Sequence, residues 1–506
     1  MPRAPPMIRT LLPPRPRSIF SPEKNRRTPA IPVSVSQFRQ PDEIPIPPCS
    51  NRRSVRTFAY STRQYAFHFV SLPSRACQTF ISCIANETTT NGETTMERPS
   101  TPLPLDGITV IDFSRLLPGP WCTQFLSDLG AKVIKVEQAG IGDMSRYNAP
   151  RQGNSSVYFE LVNGGKRSIE LDLSTDDGQK IAHRLIGGAD VVVESFRPGV
   201  TGKLGISYEA AKETKPDIVY CSITGFGQEG PLAHISGHDL AIQSVAGHMP
   251  LGKLDGHTQQ VPGFQAADYA GASTACSAVL AALIRRDRTG DGAYIDLAMY
   301  DSLFSMCNIA MTGAIGAALP NDPGDRLEAW GANPRYAVYE TKDGKAVAVA
   351  LLESRLWQAF CAAIGRPDLA DPNERPDARH STHGDLREKY RVAIEDYCAA
   401  RTRDEIVEFM NSHGVPICPV LSPEEALDSA NVTARGLIDV HASGQSRIVH
   451  MVNPLASSGL ARATRTDAPS LGGDTETVLA DLGYEAEEIA GLRSKGVLGP
   501  SKETNA

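Results

Sequence analysis

The sequence predicts an α/β protein built on a mainly parallel, doubly wound sheet, and three observations carry that expectation. From Leu105 onward, short runs rich in Val and Ile alternate with longer stretches of helical character. Several of those runs are apolar at successive positions, as strands covered on both faces must be. Turn residues such as Pro118–Pro120 and Gly130 punctuate them.

ITVIDFS reads as the first buried strand, and the Pro-Gly-Pro that follows as a turn. WCTQFLSDLG is helical and closes at Gly130, a suitable residue just past a helix end. AKVIKVE and RSIELDL are the next two strands, DDGQKIAHRLIGGA a helix, and DVVVESF another apolar strand. YEAAKETKP leads into DIVYCSITGFG. AGASTACSAVLAALIRRDRTG is a long helix of small residues, ending in basic residues and Gly290 as a helix C-terminus should. AYIDLAMYDSLFSM follows with no element assigned to it.

The expected organisation is discontinuous. Residues 101–300 form the first part of a large domain, and 301–333 a Gly/Ala/Pro-rich linker. Residues 334–415 form a smaller inserted α+β domain. Residues 416–495 return to complete the large domain, and 496–506 are a tail. In the small unit YAVYETKDGKAVAVAL predicts a hairpin turning at Lys342-Asp343-Gly344, followed by helices at EKYRVAIEDYCAA and RDEIVEFMNSHG.

Composition narrows the function. The 506 residues are 41% apolar and 22% charged, as in globular proteins. No run of about 18 uncharged apolar residues exists, so no membrane span is expected. The net charge of −7 argues against nucleic acid as a partner. Ten cysteines lack CxxC pairing or Cys/His clustering, so neither a zinc site nor a disulfide framework is expected. Residues 1–95 differ from the rest, with 13 Lys and Arg against 5 Asp and Glu, and 13 prolines in the first fifty positions. Residues 1–100 are therefore read as a disordered or targeting extension, with Met96 an alternative start. Cytoplasm is the expected location, or mitochondria if the extension is a transit peptide.

Phosphate-loop, GxGxxG and GxSxG signatures are missing from their required contexts. What remains is a set of acids and a histidine beside glycine turns. Asp268, in GFQAADYAGAS, sits just ahead of the small-residue helix, where the dipole and free amides stabilise an anion; a plain N-cap is the structural alternative. His238, in SGHDLAIQ, follows a strand at the sheet's carboxyl edge, where open α/β sheets bind ligands. Asp239 beside it reads as an N-cap. Glu353, in ALLESRLW, falls where the small unit's hairpin gives way to a helix. Gly119 and Gly199 stand in turns that let a backbone approach a ligand. Lys135, Arg146, Lys166, Arg167 and Arg197 are the cations available for the phosphates of a nucleotide, though each alone is more often a solvated charge.

The ordered series VIDFSRLLPGP, LSDLGAKVIKVEQAGIGDMSR, KRSIELDL, ADVVVESFRPGVTGKLGISYE and IVYCSITGFGQEGP resembles the class III CoA-transferase and 2-methylacyl-CoA racemase family, of CaiB/BaiF type, from about Leu105 to Gly459. That resemblance implies a Rossmann-like large domain and a small domain, in two subunits interlocked as rings. It implies an acyl-CoA thioester substrate, no permanently bound cofactor, and CoA held as part of the substrate. Asp268 stands where both branches have an essential aspartate: a nucleophile in transferases, one of two bases in racemases. Gly237-His238-Asp239 matches the racemases' GHD motif, and Glu353 their small-domain glutamate. The resemblance therefore leans to racemase chemistry, in which His238 and Asp268 exchange an α-proton through an enolate whose oxygen is held by helix-start amides. The alternative is a transferase moving CoA to a carboxylic acid. Leu117 stands where formyl-CoA transferases carry glutamine, which argues against that particular activity.

Overall fold

The computed structural model describes residues 102–499, apart from 153–154, 248, 250–261, 310, 320–332, 381–382, 444–445 and 455–462. The N-terminal extension, part of the expected linker (310 and 320–332) and the tail from 500 onward lie outside the described residues.

Six parallel strands form the central sheet: β1 (Thr109–Asp112), β2 (Lys132–Gln138), β3 (Arg167–Leu171), β4 (Val191–Glu194), β5 (Val219–Thr224) and β6 (Ala293–Ala298). Their spatial order is β3-β2-β1-β4-β5-β6, with Val110 of β1 opposite Val133 on one side and Val191 on the other. The chain winds outward from β1 to β3, then crosses to build β4 to β6 on the other side. The strand order thus reverses between β1 and β4, and ligands of such sheets bind outside the carboxyl ends at that point. β4 and β5 are buried at every position, which is why their sequences run apolar without alternation. β6 carries no clear strand signal in its sequence, because AYIDLA alternates like an edge strand and runs directly into a helix.

Helices cover both faces: α1 (Pro118–Asp128), α2 (Val157–Asn163), α3 (Asp176–Gly187), α4 (Tyr208–Thr214), α5 (Asp239–Val245), α6 (Ala266–Thr289) and α7 (Met299–Met306). Thr175 caps α3 by accepting from the Gly178 amide, and Ile181, Ala182, Leu185 and Ile186 press one stripe of that helix onto the sheet. Pro118-Gly119-Pro120 is not a separate turn but the first turn of α1, where proline's missing N–H costs nothing. α6 begins at Ala266, so Asp268 lies inside its first turn rather than ahead of it. By length and composition α6 could cross a membrane; here it is a core helix, burying Ala267, Ala272, Ala275 and Val279 in the same cluster as α1 and the sheet.

The small unit has its own core. β7 (Tyr336–Glu340), β8 (Ala346–Ala350) and β9 (Ile417–Pro419) form an antiparallel sheet with β8 central, and between β8 and β9 the chain forms α8 (Ser354–Ala363), α9 (Leu386–Ala399) and α10 (Arg403–Ser412). Trp357, Phe360, Ile394, Ile406 and Met410 are almost completely buried there. A hairpin of β10 (Ile438–Ser443) and β11 (Ser446–Met451) follows, then α11 (Thr475–Asp481) and α12 (Ala486–Ser494). Val478, Leu479, Ile489 and Leu492 of these last helices share a core with α3 and the central strands.

The C-terminal stretch is pinned by charge as well as by apolar packing. The Arg465 guanidinium forks onto Asp128 at 2.7 and 2.6 Å, with both side chains buried. Removing one member of such a pair leaves the other charge buried alone. Asp128→Ala should therefore cost about 3–5 kcal/mol in urea unfolding, and more than Arg465→Met, which removes the cation and keeps much of its apolar stem.

Candidate active site

Three turns at the carboxyl ends of β1, β4 and β5 build the site, and buried charge holds two of them. Asp112 ends β1, fully buried. It accepts from the Ser114 amide (2.9 Å), from Thr123 Oγ1 (2.6 Å) and from Lys166 Nζ (3.2 Å). Lys166 also donates to the Pro120 carbonyl and to Asn163, so it ties β1 to the start of α1. Burial pulls its ammonium down to about 8, against the opposing pull of Asp112.

On β2, Lys135 Nζ reaches Asp143 at 2.9 Å and the Ser114 carbonyl at 2.9 Å. Asp143 in turn accepts the Leu116 amide, at 3.2 Å to each carboxylate oxygen. Leu116 has φ +65°, a left-handed conformation costing a non-glycine residue on the order of 1–3 kcal/mol. On β4, Glu194 accepts the Phe196 amide at 2.7 Å, and burial pushes its carboxyl up to about 7. The two turns are joined by the Arg115 amide donating to Ser195 Oγ (3.0 Å) and by the Arg115 guanidinium lying 5.1 Å over the Phe196 ring.

Two cavities flank this junction and share Arg115 and Phe196. The first, of about 420 Å³, is lined by Phe113, Val136, Leu171, Leu173 and Leu204 together with polar groups that include Glu137, Asp143 and Asp172. The second, of about 550 Å³, is lined by Leu116, Tyr158, Arg197, His238, Asp268 and Met299 among others. Arg115 and Arg197 form no ion pair among the described residues; Arg197 donates to Ser236 Oγ at 2.7 Å.

Asp268 occupies the first turn of α6 with its carboxyl pushed up to about 7, first by burial and second by the charge of Asp239. Asp239 opens α5 but serves α6: its Oδ1 accepts the amides of Ala267 (2.8 Å) and Asp268 (3.3 Å), and its Oδ2 accepts from Gln243 Nε2 (2.5 Å). The Ala266 amide is bonded to the Phe264 carbonyl. These amides at the helix start, expected above to be free for an anion, are thus already engaged. Tyr158 lines the same cavity, and burial together with the Asp268 charge keeps its hydroxyl protonated far above neutrality.

The expected site residues divide sharply. His238 and Asp268 line one cavity, whereas Glu353 is exposed at the start of α8, 3.5 Å from Arg379, and does not line it. Arg197 faces the same cavity as the histidine. The other cations meet carboxylates instead of open space. Lys135 pairs with Asp143 and Lys166 with Asp112, Arg146 forks onto Glu137 at 2.7 and 2.6 Å, and Arg167 faces Asp474 and Asp481. A phosphate would have to break those pairs, so these four hold the protein together.

Gly119 is buried where an added Cβ would lie 2.2 Å from Ser114 Cβ, so its small size serves packing of the β1 turn. Gly199 has φ +79° and opens a single helical turn at residues 200–203. Asp239 is an N-cap as its sequence context suggests, but of α6 and not of the helix it opens; Arg115 and Tyr158 carry no sequence signal beyond the place of Arg115 directly after a strand. Among the described residues no group of three His, Cys, Asp or Glu could hold a metal.

A switch-point crevice with a half-neutral buried carboxylate and an adjoining cavity is the kind of site an α/β enzyme builds at its strand carboxyl ends. The chain matches the sequence profile of CoA-transferase family III over residues 105–475 and belongs to that family. It is 34% identical over 374 residues to the acetyl-CoA:oxalate CoA-transferase of Acetobacter aceti, covering 72% of this chain and 92% of the relative. It is 33% identical over 403 residues to the succinate–glutarate CoA-transferase of Agrobacterium fabrum, covering 76% and 97%. A crystal structure of a CaiB/BaiF family protein from Brucella suis superposes with a TM-score of 0.65 at 31% identity, covering 76% of this chain and all of that one. The protein is therefore an acyl-CoA thioester enzyme of this family. The names of these relatives favour CoA transfer over the racemase chemistry expected above.

Ionising Asp268 in the folded protein works against its burial, so its raised pKa is a stability cost at high pH. That contribution favours folding most below about pH 4, where unfolded Asp is protonated, and is lost as pH rises through about 7. Asp268→Asn should therefore stabilise the protein at pH 8 by on the order of 2 kcal/mol, and by less at pH 5, as thermal unfolding at the two pH values would show.

Proposed function

We propose that this enzyme moves CoA from an acyl-CoA to a carboxylic acid, with the Asp268 carboxylate as nucleophile. The observation that carries the reading is Asp268 set in the second cavity, which adjoins the first, of mixed apolar and polar lining, across Arg115 and Phe196. The adenosine end of CoA fits the first cavity, Arg115 and Arg197 are the cations left for its phosphates or for an acid, and the pantetheine arm leads to Asp268.

The chemistry follows from the groups present. An Asp268 oxygen adds to the thioester carbonyl, the C–S bond breaks, and a mixed anhydride and CoA thiolate form. The thiolate attacks the aspartyl carbonyl, releasing the donor acid and leaving CoA on Asp268 as a thioester. The acceptor carboxylate displaces that thiolate, which then attacks the new acyl carbon and restores the free Asp268. The site has two arginines with no ion pair among the described residues, and His238, which suits a short dicarboxylate such as those named in the two transferase relatives.

A second reading, a two-base racemase, is favoured by His238 and Asp268 sharing one cavity. The fully engaged start of α6 weakens it, since those amides cannot hold an enolate oxygen without releasing Asp239. A homodimer is also part of this proposal. Exposed Phe304, Met306, Ile315 and Val338 offer apolar surface for a second copy, and Glu353 faces outward on the same chain.

The test is to give the protein succinyl-CoA and hydroxylamine, and to look for a hydroxamate on the Asp268 peptide by mass spectrometry. Asp268→Ala should yield no adduct and lose at least about a thousandfold in turnover. Solvent deuterium entering the α-position of a 2-methylacyl-CoA without an acceptor acid, with no trapped adduct, would sink the transferase reading in favour of the racemase. The pH profile is a second check. The nucleophile must be ionised, so kcat/KM should rise with pH to a plateau above about 7. Asp239→Asn should move that limb to lower pH, but only partway, because burial is the larger cause.

A further inference from the structure

The segment from Ser114 to Pro118 forms the ridge between the two cavities, with Ser114 on the first, Arg115 on both, and Leu116 to Pro118 on the second. It is not free to choose its shape. Leu116 is held at φ +65°, where a leucine does not rest unaided, while its side chain stays exposed at the cavity. Nothing about an exposed leucine rewards that conformation. Its amide explains it, because that N–H points at the Asp143 carboxylate.

Asp143 is saturated by what surrounds it. Besides the Leu116 amide it accepts from the Ser145 amide (2.9 Å), from Ser145 Oγ (2.8 Å) and from Lys135 Nζ (2.9 Å), and its own amide donates to Glu137. Its side chain and that of Lys135 are wholly shut off from solvent. Lys135 closes the loop by donating to the Ser114 carbonyl, two residues before Leu116. Asp143 also opens the short turn carrying Met144, another wall of the second cavity. One buried ion pair therefore holds the Ser114 carbonyl and the Leu116 amide, the two backbone groups leading into the strained torsion, and one further wall.

We propose that the Lys135–Asp143 pair is a latch that keeps the Ser114–Pro118 ridge in its left-handed turn, and so sets the register of a thioester spanning the two cavities against Asp268. The pair touches no substrate; it is a positioning device. The inference rests on the transferase reading for its consequence, and on the geometry alone for the latch itself. Without Asp143, Leu116 relaxes to negative φ, the ridge shifts, and the thioester carbon leaves the line of attack, a misplacement to which rates are far more sensitive than binding.

The experiment compares Asp143→Asn, Leu116→Gly and the double variant, because glycine takes the left-handed turn without being held there. Asp143→Asn should lower kcat at least about tenfold, with a smaller change in KM for acyl-CoA. In the Leu116→Gly background the same substitution should cost at most about a third of that factor. Amide exchange at residues 114–118, followed by mass spectrometry, should quicken in Asp143→Asn and much less in the double variant. If Asp143→Asn does not fold, Lys135→Met with Asp143→Asn replaces it, removing both buried charges together. Equal fold-losses in the two backgrounds, or unchanged exchange at 114–118, would overturn the latch. Faster exchange in Asp143→Asn with no thioester turned over by the wild type would support the latch and defeat the transferase reading.

Discussion

Charge buried at the carboxyl edge of a parallel sheet has to be paired, and in this protein the pairs are also the mounts of the site. Asp112 of β1, Lys135 of β2, Asp143 beyond β2 and Lys166 just ahead of β3 are all buried. An unpaired ion there would be prohibitive, so each carboxylate collects an ammonium and several amide or hydroxyl donors. Those donors belong to the loops that carry Arg115, Leu116 and Met144. The demand for neutralisation fixes loop geometry that apolar packing alone would leave adjustable.

The same logic, with the sign reversed, operates across the site at Asp268. Its neighbour Asp239 spends its charge on the start of α6, accepting amides that a helix leaves unsatisfied. The helix gains a cap, and Asp268 gains a negative neighbour without gaining a cation. Burial and that neighbour together lift its carboxyl towards neutrality. A carboxylate that is harder to ionise is also a better nucleophile once ionised, which suits attack on a thioester. The site is thus built by holding counter-charge at β1 and β2 and withholding it at α6.

Size does comparable work beside these charges. Gly119 lets the first turn of α1 close against Ser114, and Gly237 leaves room for the Phe226 ring just before His238. Gly237 stands next to His238, yet the Phe226 ring by itself accounts for its missing side chain. Residues flanking a site are often there to let its walls meet.

The doubly wound sheet was legible in the sequence because strands covered on both faces must be apolar throughout, and that pattern survives without any knowledge of contacts. β4 and β5 announced themselves in this way, and β1, β2 and β3 by shorter Val- and Ile-rich runs. β6 did not, since an edge strand half open to solvent alternates and merges with the helix behind it. His238 and Asp268 were legible as residue types beside turns, and the switch point brought them to one cavity. The fate of the cations was not legible. Lys135, Lys166, Arg146 and Arg167 look alike in a sequence, and whether a cation meets a phosphate or a carboxylate depends on which strand ends the topology places within a few ångströms of it. The sequence by itself determined the sheet, its apolar faces and the family pattern. Tertiary structure alone decided which charges are mutually neutralised and which, like Arg115, Arg197 and Asp268, have no ion-pair partner among the described residues, because Coulombic pairing is set by distance in space and not along the chain.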